Sequence, residues 1–138
     1  MNLTGNELKQ LVRGNDGANV IDGVRGNDTL YGMGGQDTFR FSTALGTGNV
    51  DRIGDFRVED DQIALGGSIF TTLAFGALDA SRFMNSALGP RDADDRILYN
   101  SDTGSLFYDA DGIGGAVAVK VAMLTAGLSL SAADFTVF

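Results

Sequence analysis

Asn19, Asp28 and Asp37 stand nine residues apart, and each precedes a large apolar residue, Ile21, Leu30 or Phe39, by two positions. Gln10 and Val12 occupy the same two places one unit earlier. Glycines share the period: Gly5, Gly14, Gly23 and Gly32 head successive units, and Gly17, Gly26 and Gly35 follow three residues after the last three of them. The units read GNELKQLVR, GNDGANVID, GVRGNDTLY and GMGGQDTFR. Oxygen-bearing side chains set among glycines suit a hard cation. Calcium takes about six to eight oxygens, from carboxylates and from backbone carbonyls. Glycine lets a short loop turn its carbonyls toward such an ion. The residues this pattern offers as ligands or loop formers are Gly14, Asp16, Gly17, Asn19, Gly23, Gly26, Asp28, Gly32, Gly35 and Asp37. Asp16 lies off the repeating position and supplements Asn19.

The elements that position these groups follow from the same period. Each unit has room for one loop and one short strand, whose central apolar residue points into a narrow core. One unit cannot bury that residue alone, so units must stack. Units of this form, G-G-x-G-x-D-x-U-x with U a large apolar residue, are the signature of a calcium-binding β-roll.

The repeats resemble those of RTX (hemolysin-type) proteins, which Gram-negative bacteria export by type I secretion. The resemblance continues downstream. NVDRIGDFRVEDDQIALGG (49–67) is similar to the segment after the roll in RTX proteases and alginate epimerases. ASRF (80–83), DADDRILY (92–99), TGSLFYDADGIG (103–114) and LSAADFTV (130–137) resemble RTX terminal runs. The resemblance implies that two units make one turn of a parallel roll, and that a loop pairs with the loop two units on. The Gly14 and Gly32 loops, with Asn19 and Asp37, would then share an ion. The Gly23 loop, with Asp28, would lie on the opposite edge, facing the poor first unit or whatever follows Phe41. Gln10 and Asn19 replace the family's Asp, and Val24 and Met33 its second glycine. The expected ion number is therefore small, on the order of one to three.

Composition supports an all-β chain. Twenty of 138 residues are Gly, and of the 18 acids all but Glu7 and Glu59 are Asp, a poor helix former suited to turns. The expected architecture is a short parallel β-roll over 1–41 and an antiparallel or mixed β cap over 42–138, in one continuous unit. Within the cap, strands are expected at Val50–Phe56, Gln62–Leu65, Arg96–Asn100, Ser105–Asp109, Ala116–Ala122 and Phe135–Phe138. A helical turn is expected at Leu78–Phe83 and a capping box at Ser131–Asp134.

Asp109 and Asp111 form a second, weaker metal candidate in DADG. They do not open an EF-hand, because Ile113 and Lys120 hold ligand places of that loop. A tight Asp-Gly turn is the simpler reading. Asp92, Asp94 and Asp95 read as a solvated cluster.

The net charge of -8 argues against nucleic acid or an anionic membrane as partner. No stretch reaches membrane-spanning length. With neither His nor Cys, common zinc sites, disulfides and Ser-His catalysis are all closed. The expectation is a non-catalytic calcium module, with any catalytic domain lying upstream. The resemblance adds secretion to the extracellular space, an uncleaved export signal in LSLSAADFTVF (128–138), and the type I secretion apparatus as partner. A passenger domain or an extracellular polysaccharide is a further candidate partner, the latter through Arg13, Arg25, Arg40, Arg52 and Arg57.

Overall fold

The computed structural model describes residues 1–89 and 91–138. Five short strands follow the repeat: β1 (Asn2–Thr4), β2 (Leu11–Arg13), β3 (Val20–Asp22), β4 (Thr29–Tyr31) and β5 (Thr38–Phe41). They alternate between two sheets. β1, β3 and β5 pair in parallel on one sheet, with Leu3, Ile21 and Phe39 in register. β2 and β4 pair in parallel on the other, with Val12 opposite Leu30. Side chains alternate faces along a strand, so each central residue points inward and its neighbours point out. Ile21, Leu30 and Phe39 are fully buried, while Leu3 and Val12, in the first turn, are only partly covered.

The winding continues past Phe41, where the nine-residue phase ends. β6 (Asp51–Ile53) adds in parallel to β4, and β7 (Gln62–Leu65) in parallel to β5. Leu30 meets Ile53 and Phe39 meets Ile63, so both apolar ladders gain another rung. Only the loops have lengthened.

Beyond β7 the chain builds a mixed cap. β8 (Gly76–Ala77), β9 (Phe83–Asn85), β10 (Ile97–Asn100), β11 (Ser105–Tyr108), β12 (Val119–Met123) and β13 (Phe135–Val137) complete the sheets. β10, β11 and β12 are antiparallel neighbours, and β12 joins β6 in parallel. β13 inserts between β7, in parallel, and β8, antiparallel. The sheet orders are β1-β3-β5-β7-β13-β8 and β2-β4-β6-β12-β11-β10-β9. One apolar cluster runs from Ile21 to Val137 through both halves.

Several expected elements differ at their ends. The strand expected from Val50 covers only Asp51–Ile53, because a bend follows at Gly54, which lies under the Tyr31 ring. The strand expected from Ala116 begins at Val119, since residues 113–117 are exposed and unpaired with a sheet. The helical turn is a 3-10 turn at Ala80–Arg82, capped by Asp79, and Phe83 already belongs to β9. The capping box is present: Ser131 accepts from Ala133 N, and Asp134 accepts from Ser131 N at 2.8 Å.

Candidate metal centre

The loops between strands stack along two edges. On one edge the Gly14 loop lies under the Gly32 loop. Asn19 N donates to Asp37 Oδ1 at 2.9 Å, and Asp37 N donates to Asp61 Oδ1 at 3.0 Å. On the other edge Gln10 N donates to Asp28 Oδ1 at 2.7 Å, and Asp28 N to Asp51 Oδ1 at 3.0 Å. Each acid therefore has one oxygen on the backbone of the preceding turn. Asn19, Asp28, Asp37, Asp51 and Asp61 are all buried.

The remaining oxygens behave differently. Asp28 Oδ2, Asp37 Oδ2 and Asn19 Oδ1 are buried and, among the described residues, lack a hydrogen-bond partner. Burying such an oxygen without a partner costs about 1–3 kcal/mol, and more when it is charged. A Cβ placed on Gly23 would lie 2.5 Å from Asp28 Oδ2 and 3.0 Å from Asp51 Oδ2. On Gly32 a Cβ would collide with the Asp37 carboxylate. The glycines thus leave room in which these oxygens can turn; the carbonyls of Gly23 and Gly32 themselves lie at Gly5 and Gly14 of the preceding turn. Orphaned carboxylate oxygens next to carbonyls are the donor set a calcium ion uses. The residues present fit the ion.

Electrostatics agree. Burial pushes the Asp51 carboxyl up to about 7; the neighbouring charges of Asp28 and Asp22 add to the rise, and the hydrogen bond from Asp28 N opposes it. Burial also raises Asp28, Asp61 and Asp134. A nearby cation would reverse these shifts by favouring the charged form. Among the described residues no cage of three or more acidic side chains exists, so an ion here would need carbonyl oxygens as well.

Asp16 is exposed and lies beside Gly34. Gly26 and Gly35 adopt φ of 106° and 88° where they pass closely over Leu8 and Gly17, backbone positions that only glycine takes freely. Val24 and Met33 take φ of 72° and 74° at the family's second glycine position, so the loop shape is kept at the cost of strain. Asp109 is fully buried and pairs with Arg91 at 3.0 Å. Asp111 accepts from Ala116 N at 3.0 Å, which lowers its pKa, with Arg96 contributing. Two guanidinium groups lie near this turn, yet Asp109 Oδ2 and Asp111 Oδ1 are, among the described residues, buried without a hydrogen-bond partner. Of the acidic cluster, Asp95 is buried and accepts from Asp92 N at 2.8 Å, while Asp92 and Asp94 are exposed.

Asp51 and Asp61 were not singled out by the nine-residue count. Their signal is local: Asp51 and Asp61 each precede a buried isoleucine, Ile53 or Ile63, by two residues, as Asp28 and Asp37 precede Leu30 and Phe39.

Residues 13–42 match the family described as the RTX calcium-binding nonapeptide repeat (4 copies). No curated protein matches the chain. Among solved structures, the chain is similar to the AlgE6R3 subunit of the mannuronan C5-epimerase from Azotobacter vinelandii. The two share 22% identity over 98% of this chain and 76% of that one, with a TM-score of 0.54. At that identity the likeness is one of fold. The chain carries RTX calcium-binding nonapeptide repeats, wound as a β-roll and closed by a mixed β cap.

Proposed function

We propose that the chain is a non-catalytic module that folds on calcium after type I export. The observation that carries this reading is the pair of hydrogen-bonded ladders, Asn19–Asp37–Asp61 and Gln10–Asp28–Asp51, whose four acids are buried and leave orphaned oxygens at Asp28 and Asp37. Asp28 with Asp51, and Asp37 with Asp61, would hold the ion together with loop carbonyls. Bound calcium supplies the positive charge that lets the carboxylates ionise while buried. The residues do the rest: each Asp fixes the backbone N–H of the preceding turn, and each glycine leaves room for the carboxylate. Where calcium is scarce the stacked acids repel and loosen the turns that carry them, so the metal-free chain keeps only a weakened roll. Where it is plentiful, binding free energy becomes folding free energy.

Export fits the same picture. Phe135 and Val137 are buried in β13, so a signal read from these residues must be read before the cap closes. The test is circular dichroism in EDTA and then in millimolar calcium, with magnesium as control. The expected result is a gain of β signal with calcium and little with magnesium, which keeps its waters. Equal spectra and melting temperatures in all three would remove the calcium reading. Deleting Asp134–Phe138 and measuring export through a co-expressed type I apparatus tests the signal; a purely structural tail predicts a weaker fold with undiminished export.

A second reading is a polysaccharide-binding auxiliary module. It is supported by the likeness in fold to an epimerase subunit. It is also supported by the outer face of β2, β4 and β6, where the Arg13 guanidinium lies 5.3 Å from the Tyr31 ring centroid and Arg52 is exposed. Arg40 lies on the other sheet against Phe138, and Arg25 and Arg57 sit in loops, so the five arginines form no single stripe. Titration with an alginate-type polyuronate, compared between the wild type and an Arg13→Ala, Arg52→Ala double variant, checks it.

A further inference from the structure

The four repeat loops place one side chain each beside their leading glycine: Gln10 by Gly5, Asn19 by Gly14, Asp28 by Gly23 and Asp37 by Gly32. In the two Asp loops the atom at this place is a carboxylate oxygen with no partner. In the Asn19 loop it is the amide nitrogen, and it is surrounded. Asn19 Nδ2 lies 2.7 Å from Gly17 O, 2.8 Å from Asp37 Oδ1, and 3.1 Å from both Asn15 O and Gly32 O. These four oxygens come from both stacked loops. They are carbonyls and a carboxylate converging on one point, the arrangement a hard cation would otherwise organise.

An amide nitrogen carries two hydrogens, each bearing partial positive charge. Set among four acceptors, it screens them from one another as a small cation does. The opposite amide orientation would aim Oδ1 at the same four oxygens with nothing between them. The observed orientation leaves Asn19 Oδ1 orphaned, and the four acceptors decide which way the group turns.

We propose that Asn19 closes the Gly14 and Gly32 loop pair with its own amide in place of calcium. This pair forms without metal, and the ions go to the pairs in which acids stack from both turns: Asp28 with Asp51, whose oxygens meet beside Gly23, and Asp37, whose free Oδ2 lies at Gly32, with Asp61 of the next turn. Asn19 thus sets how many ions the roll takes and leaves one of its loop pairs formed in the metal-free state. The inference rests on the calcium reading above.

Two variants test it, Asn19→Asp and Asn19→Ala, with ions counted by native mass spectrometry at saturating calcium and melting followed in EDTA. Asn19→Asp replaces the donor by a carboxylate; it is expected to take one more calcium ion than the wild type and to melt roughly 5 °C lower in EDTA. Asn19→Ala removes the donor and adds no charge; it is expected to keep the wild-type ion count and to melt lower in EDTA. An Asn19→Asp protein that folds only in calcium also supports the proposal. The same ion count in Asn19→Asp as in the wild type, an Asn19→Asp chain that stays unfolded in calcium, a lost ion in Asn19→Ala, or unchanged melting of Asn19→Ala in EDTA each overturns it. A wild type that binds no calcium defeats the calcium reading itself, a result distinct from all of these.

Discussion

Asp37 is the acid with most at stake, since one oxygen holds Asn19 N and Asn19 Nδ2 while the other has no partner among the described residues. Asp37→Ala is expected to weaken calcium affinity far more than Asp102→Ala, because Asp102 is exposed in the turn between β10 and β11. Titration calorimetry on the two variants checks this, and similar affinities would mean that the loop register is wrong. At Met33 the expected change has the opposite sign. Its side chain is exposed and its φ of 74° belongs to the left-handed region, which costs a non-glycine residue about 1–2 kcal/mol. Glycine relieves that strain but loses about 0.5–1 kcal/mol through the freer unfolded chain. Met33→Gly is therefore expected to stabilise the calcium-loaded protein by up to about 1 kcal/mol, read from denaturant melts.

Among the elements, the turn Ala132–Asp134 decides how the chain enters β13, and Ser131 caps it. Ser131→Ala is expected to cost about 1 kcal/mol, measured by thermal unfolding in calcium. The strands of the repeat were legible because three observations shared one period: glycine, oxygen-bearing side chain and apolar residue. The strands β6 and β7 were legible as strands, but not as further turns of the roll. Their loops are longer, so counting in nines loses them, although Asp51 with Ile53 and Asp61 with Ile63 preserve the spacing within the turn. β8 and β9 were not legible. Gly76–Ala77 has no apolar alternation, and Phe83–Asn85 is a strand because β10 lies beside it, with Phe83 opposite Ile97. Pairing of that kind is set by tertiary contact and leaves little local trace. The amide cage at Asn19 was half legible: the two loops were expected to meet, but a nitrogen at the centre follows only from the positions of four carbonyl and carboxylate oxygens.

For the molecule as a whole, the buried acids set its response to pH. Asp51 titrates near 7 when folded and near 3.8 when unfolded, so between those values the folded chain holds more protons. Without calcium, stability is then highest at the acidic end of this window and falls as pH rises through it. Asp28, Asp61 and Asp134, raised by the same cause, act in the same direction. Melts in EDTA are expected to give a higher Tm near pH 5 than near pH 8. Calcium requires ionised carboxylates, so its affinity is expected to rise over the same range. A metal-free Tm that climbs with pH would contradict the burial of these groups as ionisable acids. The position of β13 carries a consequence of another kind, one of timing. It fills an interior place in its sheet, between β7 and β8, and Gln62 Nε2 reaches Ala133 O at 2.9 Å across 71 residues of sequence. A ribosome delivers those partners far apart in time. Until residues 135–137 have been made, β7 keeps an open flank and the core lacks Phe135 and Val137. The fold is thus incapable of closing early during synthesis, however favourable the first turns are, and its slowest step is expected to be this last long-range closure.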